Sequence, residues 1–127
     1  MRVLYPILLL ALAAGSAAAA PSGAELYADN CAACHMPTGL GVKGAFPALA
    51  GDKLVTGPHG PLIATVLNGR GGMPAYRDEL SDADLAKVIS YLRTAWGNKA
   101  AAVTAEQVAD VRAAKSTAPK PKNLQAH

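Results

Sequence analysis

Five consecutive residues, Cys31-Ala32-Ala33-Cys34-His35, have types and spacing that point to specific chemistry. Two thiols three positions apart, with an imidazole directly after the second, form the C-x-x-C-H arrangement that marks covalent attachment of a c-type haem. The thiols add across the two porphyrin vinyl groups, and the neighbouring imidazole supplies the proximal iron ligand. Two alanines keep the linker small where the backbone passes the porphyrin edge. Three other uses of these residues account for less. A zinc site needs four ligands, whereas the chain has 2 cysteines and 3 histidines, His35, His59 and His127, in no zinc-finger spacing. A redox dithiol expects a βαβ context, and the flanking residues here are helical and loop-like. A structural disulfide leaves His35 without a role.

The elements around this motif follow from local signals. Arg2 precedes an apolar run from Val3 to Ala14, and small residues follow from Gly15 to Ala20. That is the charged, apolar and small-residue order of a secretory signal peptide over residues 1–20. The cut is expected slightly before Ala20, because Pro21 is an unfavourable first residue. The apolar run is interrupted by Pro6 and is short for a membrane span of about 20 residues, so an uncleaved anchor is the weaker reading. Export agrees with haem attachment, which is completed outside the cytoplasm. Roughly 107 residues remain, enough for one small domain. The apolar surface of a porphyrin would enlarge its modest core, and without haem the chain is expected to fold poorly.

Ser22-Gly23-Ala24-Glu25 is a capping box that opens a helix at Gly23 running towards Asn30. Leu26 and Tyr27 face inward, and a glycine in the first turn implies a close backbone approach. From Met36 to Pro61 the density of Gly and Pro predicts a long loop wrapped on a flat cofactor, with Phe46, Leu49, Leu54 and Val55 as apolar contacts. Pro61 to Asn68 reads as a short helix with proline at its first position, and Arg70 to Tyr76 as a second loop. Ser81 caps the strongest helix, whose stripe runs Leu85, Val88, Ile89, Leu92 and Trp96 and stops at Gly97. Thr104-Ala105-Glu106-Gln107 is a second capping box that opens a last helix with Val108 and Val111 on one side. The expected organisation is a signal peptide over 1–20, a haem domain over 21–97, an extension helix over 98–115 and a flexible tail over 116–127.

With these features in place the chain resembles the class I c-type cytochromes. The resemblance rests on Gly23 and Tyr27 before the C-x-x-C-H motif, then Pro47-Ala48-Leu49, Asn68-Gly69, Met73-Pro74, and Leu85 through Tyr91-Leu92. It covers about residues 22 to 96 and implies an all-α class I cytochrome c fold, with four to five short helices wrapped around one covalent haem c. It implies that the first and last core helices cross at Gly23, with Tyr27 and Tyr91 at the crossing. It also implies that the Pro47 carbonyl accepts from Nδ1 of His35, a bond that would fix the ring. For the sixth ligand, Met36 is too close in sequence to His35 to reach the other haem face, and His127 sits at the terminus. Met73 and His59 remain, and the Met-Pro context of the family favours Met73.

His35 and Met73 on one iron would raise its potential and leave no open position for a substrate. The resemblance therefore implies a periplasmic one-electron carrier that is not an enzyme by itself. Its redox partners would be a periplasmic dehydrogenase or quinol-oxidising complex as donor and a terminal oxidase or reductase as acceptor. No nucleic-acid partner and no membrane span after signal cleavage are expected. The 12 basic residues exceed the 9 acidic ones by three, an excess that Arg2 and two haem propionates nearly account for. Lys43, Lys53, Arg70 and Arg77 lie in loops expected to rim the haem edge and to meet an acidic partner. The segment from Trp96 to Val108 resembles haem-domain ends in cytochrome subunits of periplasmic dehydrogenases, which often carry three haems where this chain has one motif. Two alternatives follow: a dedicated haem subunit of a dehydrogenase complex, and a haem enzyme or sensor with a labile sixth ligand.

Overall fold

The computed structural model describes residues 18–116. The expected signal peptide over 1–20 and tail over 116–127 lie outside the described residues except at 18–20, which have no regular structure and are exposed, and at Ser116. Six helical segments, α1 Gly23–Asn30, α2 Ala32–His35, α3 Lys53–Thr56, α4 His59–Asn68, α5 Asp82–Thr94 and α6 Ala105–Ser116, make an all-α architecture, with only isolated bridges and no strands among the described residues. The expected four to five helices become six because two are single turns. The α2 turn forms where Cys31 O accepts from both Cys34 N and His35 N. The α3 turn is nucleated by Asp52, whose carboxylate accepts from Leu54 N and Val55 N at 2.8 and 3.0 Å.

Both capping boxes form as expected, Ser22 with Glu25 and Thr104 with Gln107. Glu25, held by the Ser22 amide first and then its hydroxyl, has its carboxyl below the ordinary value. Two helix ends differ from expectation. Helix α4 starts at His59, so Pro61 occupies its third position and not its first; the first-turn amides have no partner within the helix, so proline fits there equally well. Helix α5 stops at Thr94 and not at Gly97, and Trp96 takes a left-handed φ of 52°. That break turns the indole back onto α1. Its centroid lies 5.0 Å from Tyr27 and 5.6 Å from Tyr91, and Nε1 donates to Pro37 O at 3.0 Å.

Helix α1 packs on α5, and α6 packs on both α4 and α5. The core between them includes Leu26, Ile63, Leu67, Leu85, Ile89 and Val108. Two buried polar side chains staple the chain after α5 to the loops before it. The Arg93 guanidinium donates to Ala101 O at 2.6 Å and to Val55 O and Gly57 O, both at 2.8 Å. Asn98, 6% exposed, accepts from Gly51 N at 2.8 Å and donates to Leu92 O and Leu49 O at 2.8 and 3.1 Å. Replacing Asn98 with Ala orphans all three backbone groups, so a loss of about 2 kcal/mol is expected. Chemical denaturation of the holoprotein measures this, and a loss within 0.5 kcal/mol (about the usual range for surface changes) would refute it.

Candidate functional site

Helix α1 delivers Cys31 to the site: its amide caps the helix by donating to Tyr27 O at 2.9 Å. In the α2 turn, positions i, i+3 and i+4 share one face, so Cys31, Cys34 and His35 line the same cleft. Both cysteines are half-buried and His35 is buried. His35 Nδ1 lies 2.8 Å from Pro47 O. A carbonyl can only accept, so Nδ1 carries the proton. Pro47 O is presented by a folded-back loop in which Gly41 N donates to His35 O, and Leu49 N and Ala50 N both donate to Gly39 O. Gly41 has φ +60°, and a Cβ there would lie 2.3 Å from Phe46 O and 2.5 Å from Pro47 O, so only glycine lets these two stretches pass.

Met73 reaches the same cleft from the loop after α4. Gly69, at φ +70°, turns the chain out of the helix, and paired bonds between Arg70 and Met73 tighten the tip. The Tyr76 hydroxyl anchors the loop by donating to Asn30 O at 2.5 Å. The remaining walls are mostly apolar, with Leu54, Val55, Leu62, Val66, Ile89 and Leu92 around a space of about 330 Å³. His59, the other candidate sixth ligand, does not line the cleft. Of the expected basic rim, Arg70 lines the cleft and Lys43 lines a neighbouring hollow with Phe46. Arg77 departs from that expectation. Its guanidinium turns to Asn68 Oδ1 and Arg112 O.

The electrostatics count against a redox dithiol. Burial first, and then the charge of neighbouring Cys34, pushes the Cys31 thiol up to about 11, whereas reactive dithiols have lowered values. Burial likewise pushes the Tyr27 phenol up to about 12, keeping it a donor to Met36 O at 2.6 Å. Among the described residues, no three His, Cys, Asp or Glu side chains converge to hold a metal ion. The donors that do converge are two thiols, an imidazole and a thioether around an apolar space, a set that fits a covalently bound haem and not a hydrated metal. The polar supports of this site, Asn68, Arg77, Asn98 and Arg112, were not singled out by sequence as supports: their partners lie up to 49 positions away, beyond any local signal.

Residues 18–92 match the family model described as cytochrome C oxidase, cbb3-type, subunit III. Cytochrome c-552 of Thermus thermophilus is 34% identical over 91% of this chain and 89% of its own length. The cytochrome c subunit of alcohol dehydrogenase (quinone) from Gluconobacter oxydans is 37% identical over 62% of this chain, and the match spans 19% of that subunit. The cbb3-type cytochrome c oxidase subunit CcoP of Azospirillum brasilense is 38% identical over 65% of this chain and 30% of its own length.

Proposed function

Because this chain belongs to the c-type cytochrome family, as a cytochrome c domain of the cbb3 type with covalently bound haem c, we propose that it is a periplasmic one-electron carrier. Cys31 and Cys34 are the thioether attachment points, His35 the proximal ligand and Met73 the distal ligand. The haem supplies a one-electron ferric–ferrous couple. With Nδ1 engaged at Pro47 O, the His35 nitrogen left for iron is Nε2, and the bond to Pro47 holds the ring in one orientation and raises its basicity. Met73 contributes a soft thioether, which favours the ferrous state. The observation that carries this reading is that Met73 lines the same cleft as the Cys31–His35 turn.

Absorption spectra of the exported protein and of Met73→Ala provide the test. The wild type is expected to show an iron–thioether charge-transfer band when oxidised and the variant to lack it, with its midpoint potential lowered by on the order of 100 mV or more. An unchanged variant spectrum would refute Met73 as the ligand. With His35 and Met73 both holding the iron, no position would be left for a substrate or gas, which weighs against the enzyme or sensor reading.

The electron donor is a periplasmic dehydrogenase or quinol-oxidising complex and the acceptor a terminal oxidase or reductase. A second reading, a dedicated haem subunit, is favoured by the likeness to subunits named for alcohol dehydrogenase, gluconate 2-dehydrogenase and cbb3-type oxidase. Retention of a large partner through purification separates it from a free shuttle. The leader over 1–20 directs export. Among the described residues, no helix is long and apolar enough to cross a membrane.

A further inference from the structure

The loop that carries Met73 has a closed neck. The chain leaves α4 at Asn68 and reaches Arg77 after the loop, and these two residues are bonded to each other. Arg77 Nε and NH2 donate to Asn68 Oδ1 at 3.3 and 3.0 Å, while Asn68 Nδ2 donates to Ala64 O at 2.7 Å. Helix α6 holds this neck from behind. Arg77 NH1 donates to Arg112 O at 3.2 Å, and Arg112 NH1 donates in return to Arg77 O. Arg112 also donates to Leu80 O at 3.1 Å and to Asp82 Oδ1 at 2.7 Å. One α6 side chain thus grips three residues along the link from the Met73 loop to α5. Neither Asn68, Arg77 nor Arg112 lines the cleft.

The tip of the loop has less to hold it. Tyr76 anchors its descending limb to Asn30 O and Val66 O, while at the tip the internal bonds are the Arg70–Met73 pair and Gly71 and Gly72 face open space. How long Met73 stays in place then depends on the neck together with the Tyr76 anchor, because a loop whose ends separate opens locally at a cost below that of global unfolding. We propose that Arg112 is a positioning residue that acts through Arg77 to hold Met73 in the cleft, making α6 a latch on the distal ligand loop. This rests on Met73 being the sixth ligand. A purely structural helix would lower global stability when weakened and leave loop opening unchanged.

Carbon monoxide combination with the ferrous holoprotein separates the two roles, since it is gated by departure of the distal ligand. Arg112→Ala is expected to combine about tenfold faster than wild type, the size expected for losing one charged hydrogen-bonding group. Amide exchange should speed up to a similar extent over residues 69–77 and stay unchanged in α1. Arg112→Lys, which keeps the charge but cannot reach three acceptors in one plane, should fall between them, and it carries the test if the alanine variant does not fold. Val108→Ala, which weakens the packing of a fully buried α6 residue, should lower the thermal midpoint and leave the rate at its wild-type value. A wild-type rate in Arg112→Ala, or an equal acceleration in Val108→Ala, overturns the latch. Met73→Ala distinguishes that failure from failure of the ligand reading. If wild type already combines as fast as Met73→Ala, Met73 is not the gate and the latch falls with it.

Discussion

A chain carrying Cys31→Ala and Cys34→Ala together is expected to retain no haem through a denaturing gel and to lack a cooperative unfolding transition. Both expectations come from the same geometry. The two cysteines are the residues of this cleft able to form thioether bonds, and Cys31 itself packs against the core. The cleft walls, with Leu54, Val55, Leu62, Val66, Ile89 and Leu92, are part of the hydrophobic core or packed against it. An apolar space of about 330 Å³ left without its cofactor costs several kcal/mol, which is comparable to the entire stability of a small domain. Haem staining after denaturation, with far-ultraviolet circular dichroism of the same samples, tests the prediction. Haem that remains with the denatured double variant would remove the thiols from the attachment chemistry. A cooperative transition in the haem-free chain would show that the helices form a stable core unaided.

Replacing Gly23 with Ala should destabilise the holoprotein by about 3 kcal/mol, towards the upper end for overpacking. A Cβ at Gly23 would lie 2.4 Å from Lys87 O and 3.0 Å from both Lys87 C and Tyr91 Cβ. The closest atom is a backbone carbonyl inside α5, which cannot rotate away, so α1 must lift off α5. The contacts that follow α1 are the Tyr27–Tyr91 pair at 5.4 Å and the Tyr27 hydrogen bond to Met36 O, next to His35. The strain therefore runs from the helix crossing towards the haem ligand. Gly60 in α4 is the internal control. Beyond its chain neighbours a Cβ there meets nothing within 4 Å, and the crowding of a side chain against the following Pro61 offsets the gain in helix propensity, so Gly60→Ala should change stability by less than about 0.5 kcal/mol. Thermal or guanidinium unfolding should show a large loss for Gly23→Ala and little change for Gly60→Ala. Losses of equal, small size would mean that the crossing at Gly23 is not tight.

The cofactor and the starts of α1, α5 and α6 are decided locally, which is why they were legible, whereas the fold class was implied by the resemblance to class I c-type cytochromes. The C-x-x-C-H motif carries its chemistry within five residues, and the caps at Ser22, Ser81 and Thr104 act over three. The close approach at Gly23 was also foreseen, because glycine in a first turn is costly unless something lies close by, and the resemblance implied that α5 is what crosses there. The tertiary structure decided matters set by distant partners. Elimination left Met73 and His59 both open and the resemblance favoured Met73; of the two, Met73 lines the cleft. Arg77 reads as a solvent-facing loop cation, yet its partners Asn68 and Arg112 turn it inward. Trp96 reads as the last step of a helical stripe, and an aromatic cluster with Tyr27 and Tyr91 pulls it out of the helix. Arg93, Asn98 and Arg112 have no periodic signature. Each donates to carbonyls 6 to 49 residues away, and only the packed chain brings those carbonyls within reach.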